Sequence, residues 1–479
     1  MFTHRTAHCL LIIAIWPLWS IAAADTTAAL PGSVARIIAG YKVPPADFSA
    51  YVHEIGQPEP LLAFNETVPR NPASTIKLVT TFVGLESLGP AYTWKTEAFL
   101  DGELTDGTLD GDLLIKGYGD PYFVIERFWL FLRELRNRGL RSVAGDLLID
   151  DSYFDLAEDR PGSFDGQPLR VYNVTPSALL VNFQSVRFSF SPDAVTKHVR
   201  IVADPMPANL KISNRLKLVR GRCGGYQNGV AITVGDPDRG NPVIFSGSLA
   251  ENCRDYSMSR SVLQPVTYTY GVFKTLWEAD GGEITGGVGL KRALADREPF
   301  VSFASPPLAD VIRSVNKFSN NIMARQLLLT IGAELIGPPG TVEKGREAIS
   351  LVLASRGLAL IDLNLENGAG LSRETRISAR DLGRVLLDAS DSPYQAEFIS
   401  SFALAGLDGT LRRRFTQEDL RGRVHLKTGR LDDVFAMAGY VHSRSGRQFI
   451  VVGIQNSKGA HRGPGEEAET ALVRWVYEH

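Results

Sequence analysis

The chain reads as an α+β protein in which helices flank an antiparallel sheet and a β-rich region interrupts that unit. Three observations carry this expectation. Helical spacing dominates from about residue 305 to residue 390, and apolar strands and a final helix follow it. Near the start, residues 47–66 form a hairpin-like pair of runs, and two strands are marginal without a sheet to join. Between them, short strand-like runs broken by Gly, Asp, Asn and Pro extend over roughly 200 residues, an ordinary domain size. Joining the hairpin to the C-terminal strands, with the middle inserted, reconciles all three.

Taken in order, MFTHRTAH supplies a positive start, CLLIIAIWPLW an apolar run and Ala22-Ala23-Ala24 a small-residue site before Asp25. That is the pattern of a cleaved export signal over residues 1–24. An uncleaved anchor is the competing reading, but the run is short for a span and contains Pro17. No later stretch is long and apolar enough to cross a membrane, so no integral anchor is expected. Cys9 leaves with the signal, and the isolated pair Cys223 and Cys253 predicts a disulfide rather than a metal site.

DFSAYVHEIG and PLLAFNE are the two hairpin strands, joined at Gln57-Pro58-Glu59-Pro60. STIKLVTTFVGLESLG then has the spacing of a buried helix that ends near Gly89. Within the middle, FLDGELTDGTLDGDLLIKGYGDPYF, AGDLLIDDSYFD, QSVRFSFSP and GVAITVGDP read as strands, and IERFWLFLRELRNRG as the one interrupting helix. Helices return with PLADVIRSVNKF, NNIMARQLLLTIGAEL, TVEKGREAISLVLASRG and SARDLGRVLLDA. RVHLKTG, VFAMAGYVHS and RQFIVVGIQNS are the closing strands, and EEAETALVRWVYEH the last helix.

The 479 residues are 44% apolar and 22% charged, with 51 Lys and Arg against 53 Asp and Glu. Such a balance gives ample core material and no field suited to nucleic acid. Gly117-Tyr118-Gly119 is not followed by the residues of a phosphate loop, and no zinc spacing occurs.

Three short motifs occur in order: Ser74-Thr75-Ile76-Lys77, Ser319-Asn320-Asn321 and Lys427-Thr428-Gly429. A serine at a helix start can be a cap or a nucleophile, and a lysine three residues on shares its helix face. For Lys77 to act as a base its pKa must fall, through desolvation or a second cation such as Lys427. A strand bearing KTG presents small residues beside which a peptide can lie as an added strand. Each motif alone is weak, because Ser314-Val315-Asn316-Lys317 satisfies both SxxK and SxN. Context separates them: Ser74 opens an apolar helix after Asn71-Pro72, whereas Ser314 falls inside an amphipathic run.

The ordered set matches the penicillin-recognising serine acyltransferases. The chain resembles the D-alanyl-D-alanine carboxypeptidase/endopeptidases, low-molecular-mass class C penicillin-binding proteins with a large insert after the active-site helix. GDLLIKGYGDP, GDLLIDDSYFD, TPSALLVN, NGAGLSR and AGLDGTLRRR carry the likeness along nearly the whole mature chain. The resemblance implies a transpeptidase-like domain over 25–88 and 296–479, with two β-rich insertions after the SxxK helix. These are an inserted domain II over 89–167 and 262–295, and an inserted domain III over 168–261.

It further implies a periplasmic serine peptidase that cleaves D-Ala-D-Ala ends or D-Ala-diaminopimelate cross-links of peptidoglycan, with β-lactams as covalent inhibitors. Ser74 is the implied nucleophile and Lys77 its base. Ser319 and Asn321 relay a proton and hold the substrate amide. Lys427 and Thr428, with Gly429 beside them, take the terminal carboxylate, and the backbone N–H groups of Ser74 and Arg430 form the oxyanion hole. No metal or organic cofactor is called for.

Two positions depart from the family pattern. Arg430 follows KTG where a Thr or Ser is usual, and Asp432 stands where relatives that read diaminopimelate have a polar residue. Arg373 matches an arginine of that subsite, and Asp165 an acidic residue that contacts the diaminopimelate amine. A β-lactamase, which needs a dedicated deacylation base, and an inactive peptidoglycan-binding scaffold are the alternatives.

Overall fold

The first described helix, α1, runs from Gly32 to Gly40, a segment for which the sequence reading had no element. The structure is a computed structural model and describes Met1 and residues 29–156, 160–193, 195–223, 229–254, 256–294, 296–417 and 419–479. Apart from Met1, the expected export signal, with Cys9, lies outside the described residues. No helix among the described residues is long and apolar enough to cross a membrane.

After α1 come β1 (Phe48–Glu54), β2 (Leu62–Phe64), a 3-10 turn (Ala73–Ile76) and α2 (Lys77–Leu88). The chain then leaves through β3 (Lys95–Thr105), β4 (Thr108–Gly117), α3 (Ile125–Asn137), β5 (Ser142–Val143) and β6 (Leu147–Asp150). Next are β7 (Val186–Asp193), β8 (His198–Asp204), β9 (Ile212–Val219), β10 (Val230–Val234), β11 (Val243–Ala250) and β12 (Tyr256–Arg260). Helix α4 (Pro265–Ala279) and strands β13 (Glu283–Ile284), β14 (Val288–Leu290) and β15 (Val301–Ala304) bring it back. Helices α5 (Leu308–Phe318), α6 (Asn321–Leu335), α7 (Val342–Ser355), α8 (Ala379–Ser390) and α9 (Gln395–Ser400) follow. The chain closes with β16 (Ala403–Leu404), β17 (Val424–Leu431), β18 (Val434–His442), β19 (Gln448–Asn456) and α10 (Pro464–Tyr477).

The opening hairpin gains its sheet from the far end of the chain. β1 pairs antiparallel with β19 from Phe48↔Gln455 to Glu54↔Phe449, in a six-stranded sheet of order β16-β17-β18-β19-β1-β2. Both faces of β18 and β19 are buried, and alternation sorts their residues by face. Ala436, Ala438, Tyr440, Ile450, Val452 and Ile454 pack with α2, α5, α6 and α8. Phe435, Met437, Val441, Phe449 and Val451 pack with α1 and α10. The fold is thus α+β, an antiparallel sheet between helical layers.

The inserted region holds a seven-stranded sheet of β3–β6 and β13–β15, and two three-stranded sheets, β12-β7-β8 and β10-β11-β9. One apolar cluster runs through it, from Ala98 and Phe131 to Phe188, Phe245 and Trp277. Cys223 and Cys253 form the disulfide there. Two expectations change in this region. The return boundary at 295 falls short, because β15 pairs with β3 from Val301↔Ala98 to Ala304↔Lys95, so the insert's sheet extends to Ala304. Helix α4 was also missed, since its β-branched and aromatic residues look strand-like. Pro265 at its start and the burial of Phe273 and Trp277 override that propensity.

The insert leans on α6, the helix that begins with Asn321. Gln326 Nε2 donates to the Ser177 carbonyl at 3.1 Å, and Trp94 Nε1 to Thr330 Oγ1 at 2.9 Å.

Candidate active site

Asn71 and Pro72 set the turn that presents Ser74. Asn71 Oδ1 accepts from the Ala73 N–H at 2.9 Å, and Asn71 Nδ2 donates to the Ser372 carbonyl at 2.9 Å. Asn71 and Asn456 also exchange hydrogen bonds, which tie the turn to the end of β19. Ala73 is held at φ 45°, a conformation that L-residues avoid unless their surroundings impose it. Ser74 then lies inside the 3-10 turn rather than at a helix cap. None of the flanking cap positions makes a side-chain cap bond, and Ser74 Oγ instead faces Lys77. Of the two roles open to a serine at a helix start, Ser74 does not take the cap, because the tighter turn directs its hydroxyl at the lysine.

Lys77 opens α2 and is fully buried. Its Nζ lies 2.8 Å from Ser74 Oγ, donates to Asn321 Oδ1 at 2.7 Å, and contacts the Ala369 carbonyl oxygen. A neutral amine has two N–H donors and one lone pair. With the donors taken by Asn321 and Ala369, the lone pair is left for the Ser74 hydroxyl proton. Burial first, and the Lys427 charge second, hold Lys77 well below the ordinary lysine range.

The Ala369 carbonyl is brought there by NGAGLSR. Asn367 Oδ1 accepts from the N–H groups of Ala369 and Gly370, and Asn367 Nδ2 donates to Leu371 O. Gly370 adopts φ +75°, and a Cβ on it would fall 1.9 Å from the Ala73 carbonyl oxygen. Only glycine permits that approach.

Helix α5 ends at Phe318, and Ser319 takes a left-handed conformation, φ 57°. Asn320 then caps α6 by accepting from the Met323 N–H, which leaves Asn321 as its first residue. Lys427 is fully buried on β17. Its Nζ donates to Ser319 Oγ at 2.8 Å and Thr428 O at 2.7 Å, and burial pushes it down to about 7. Thr428 Oγ1 donates to Thr410 Oγ1 at 3.0 Å. β16 pairs with β17 at His425 and Leu426, so that edge of the strand has no strand partner from Lys427 to Leu431 among the described residues. A Cβ on Gly429 would come within 2.5 Å of Pro72 O and 3.0 Å of Ser74 N, so the KTG glycine lets the strand touch the Ser74 turn.

The competing run resolves differently. Asn316 Nδ2 donates to Thr81 Oγ1 and Ser401 Oγ inside the core, and Lys317 Nζ to Asp408 Oδ2 and Phe402 O. These residues clasp α5 to its neighbours and stay out of the Ser74 cluster.

Four predicted residues lie outside that cluster. Arg430 is exposed, and no hydrogen bond or ion pair holds its side chain among the described residues. Arg373 Nη1 donates to the Asp432 carbonyl at 3.2 Å, and its Nη2 lies 3.7 Å from Asp432 Oδ2. The Arg373 guanidinium also covers the Phe164 ring at 4.8 Å. Asp165, next to Phe164, engages its carboxylate with Tyr172 Oη, Asn173 Nδ2 and the Gln167 N–H. Phe164 and Arg373 line a cleft of about 860 Å³ together with Arg325, Arg346, Glu343 and Glu366. Sequence reasoning passed over Asn71, Asn456 and Asn367 as site residues. The Asn-Pro pair before Ser74 was the available signal for the first of them.

The family model for the "D-Ala-D-Ala carboxypeptidase 3 (S13) family" matches residues 30–478. A D-alanyl-D-alanine carboxypeptidase of an Actinomadura species is 28% identical over 403 residues, 82% of this chain and 74% of its own length. The crystal structure of penicillin binding protein 4 (dacB) from Haemophilus influenzae superposes with a TM-score of 0.78 at 23% identity. It covers 93% of this chain and 99% of that one. The same Haemophilus influenzae protein, complexed with a β-lactam, gives a TM-score of 0.73 at 22% identity, covering 93% and 100%.

Proposed function

The chain belongs to the D-Ala-D-Ala carboxypeptidase 3 (S13) family, a family of peptidoglycan-directed serine peptidases, and from that premise we propose how it acts. It hydrolyses D-Ala-D-Ala ends of stem peptides, D-Ala-diaminopimelate cross-links, or both, through an acyl group on Ser74. The single observation that carries this reading is the convergence of Ser74 Oγ, Asn321 Oδ1 and the Ala369 carbonyl on the buried Lys77 amine.

In the acylation step the Ser74 Oγ proton passes to the Lys77 Nζ lone pair while Oγ attacks the D-alanyl carbonyl. The oxyanion is stabilised by the backbone N–H groups of Ser74 and Arg430, an arrangement whose donors are each worth about 3 kcal/mol in a dry site. The C–N bond then breaks, and the proton that Lys77 took is passed on to the leaving amine through Ser319, which Lys427 Nζ touches, so that the Lys77 amine is neutral again. Water then attacks the ester, its proton passing to neutral Lys77 Nζ and from there to the departing Ser74 Oγ, which releases the acid and free Ser74. Lys427 and Thr428 receive the terminal carboxylate at the unpaired β17 edge, with the exposed Arg430 supplying a further cation. Arg373, Asp432 and the Phe164–Asp165 loop meet the side chain on the acyl side. A β-lactam enters as a substrate analogue and stays as an adduct.

The export-type start of the sequence and the Cys223–Cys253 disulfide support a periplasmic workplace. The test is incubation with a fluorescent penicillin followed by peptide mass analysis. A penicilloyl mass on Ser74, lost in Ser74→Ala, is expected, together with D-alanine release from a pentapeptide muropeptide. Labelling that survives Ser74→Ala sinks the assignment. An adduct that clears within seconds instead indicates a β-lactamase.

A further inference from the structure

The Arg373–Asp432 pair occupies the end of the strand edge on which a peptide would lie. Asp432 begins the two-residue turn after β17, with Asp433 at φ 64°. Arg373 follows Ser372, whose carbonyl accepts from Asn71 Nδ2 at 2.9 Å, and Asn71 Oδ1 holds the turn that presents Ser74. The Arg373 backbone is thus tied to the Ser74 turn through Asn71. A peptide whose carboxylate sits at Lys427 and whose carbonyl meets Ser74 runs its other end past Leu431. Its acyl-side side chain arrives at Phe164, Arg373 and Asp432.

We propose that Asp432 is a specificity-determining residue, which makes this subsite select a side chain ending in a carboxamide over one ending in a carboxylate. The inference rests on the DD-peptidase reading above, which fixes the direction of the peptide. The pair is solvent-exposed, 47% at Arg373 and 78% at Asp432, so such a contact opens readily and does not block a ligand. Its effect lies in the charges and donors it offers together. Arg373 has only donors and Asp432 only acceptors. A carboxamide presents both halves of the complement, its C=O to Arg373 and its NH₂ to Asp432. A carboxylate matches the Arg373 guanidinium but approaches Asp432 as a like charge, a repulsive element of the kind that creates selectivity. The second Asp432 oxygen lies 3.6 Å from His461 Nε2, and Asp433 Oδ1 lies 3.8 Å from His461 Nδ1, so the turn carries two carboxylates beside that ring. Phe164, stacked under the guanidinium, offers an apolar wall to the methylene stem.

The experiment compares two synthetic peptides ending in D-Ala-D-Ala, identical except that the acyl-side diamino acid carries a free carboxylate or its carboxamide. Affinities are measured by calorimetry on Ser74→Ala, which binds without turnover, and kcat/KM on the unaltered protein. The carboxamide is expected to bind about fivefold tighter, the factor for one solvent-exposed charge contact of about 1 kcal/mol. Asp432→Asn, which keeps the shape, collapses the ratio towards one or inverts it, and Asp432→Glu restores it. Thermal unfolding checks that each variant is folded. Equal affinities, tighter binding of the free acid, no binding of either peptide, or a ratio unchanged in Asp432→Asn overturns the inference. The expected binding order in Ser74→Ala with no turnover by the unaltered protein would overturn the proposed reaction and leave the selectivity standing.

Discussion

Lys77 and Lys317 each close an SxxK run, and each side chain is sunk in the same helical layer. Lys317 Nζ meets the Asp408 carboxylate at 2.7 Å and the Phe402 carbonyl at 2.8 Å. Lys77 Nζ meets a hydroxyl, an amide oxygen and a backbone carbonyl, with the Lys427 cation near by. The first is an ion pair that fastens α5 to the loop after β16. The second favours an uncharged amine, because burial without a carboxylate penalises the charged form. The same four-letter pattern thus yields a clasp in one place and the amine we propose as a base in the other, and the partners make the difference.

Replacing each lysine by an isosteric apolar chain separates the two roles most sharply. Lys77→Met is expected to slow penicillin acylation roughly a thousandfold, the scale of a lost general base. Lys317→Met is expected to cost about 1–2 kcal/mol of stability, by leaving the Phe402 carbonyl and Asp408 Oδ2 without the Lys317 donor. Its folded fraction should still label within a few-fold of the normal rate. Stopped-flow labelling and thermal unfolding on both variants check the contrast, and equal loss of labelling in the two would remove it.

A smaller effect tests whether the contact of β17 with the nucleophile turn matters as much as the lysine. Gly429→Ala places a Cβ 2.5 Å from Pro72 O and 3.0 Å from Ser74 N, so the strand or the turn must move. A displacement of that order is expected to reduce acylation by about a hundredfold. Unaltered labelling of Gly429→Ala would mean that the spacing is not critical.

The smallest effect concerns pH. Acylation needs Lys77 neutral, so kcat/KM rises with pH as Lys77 loses its proton, and it needs Lys427 charged towards a carboxylate. Lys427 is pushed down to about 7 by burial, so the alkaline limb of the free enzyme falls with a midpoint near 7. Lys427 is also the lesser of the two causes that depress Lys77. In Lys427→Met the nearby positive charge is gone, the Lys77 pKa rises, and the acid limb moves to higher pH. A pH–rate series on this variant that moves the acid limb downward would contradict the coupling.

Much of this was legible along the chain wherever the signal was local. The strands RVHLKTG, VFAMAGYVHS and RQFIVVGIQNS and the helix from Lys77 to Leu88 follow from periodicity, and the break at Ser319–Asn321 from its turn residues. Helix α4 was not legible, because Val266, Thr267, Tyr268, Thr269 and Tyr270 favour strands until Phe273 and Trp277 find a core. Strand β15 was missed as part of the insert, because its partner β3 is remote in sequence. Whether Ser74 caps the helix was not legible, since a 3-10 first turn and an α-helical one read alike from composition.

The sequence by itself determined which groups could react: a serine with a lysine one turn away, a second serine and asparagine at a helix break, and a lysine on a strand. Those are chemical identities at short spacing, and spacing survives in any fold that keeps the helix. The tertiary structure alone decided which lysine lacks a carboxylate partner, because Asn321 and Ala369 reach Lys77 from distant segments whereas Asp408 reaches Lys317. It also decided that Asp432 lies against Arg373, a contact between a hairpin turn and a loop that share no local sequence. Partners that set charge arrive through packing, and packing is a property of the whole chain.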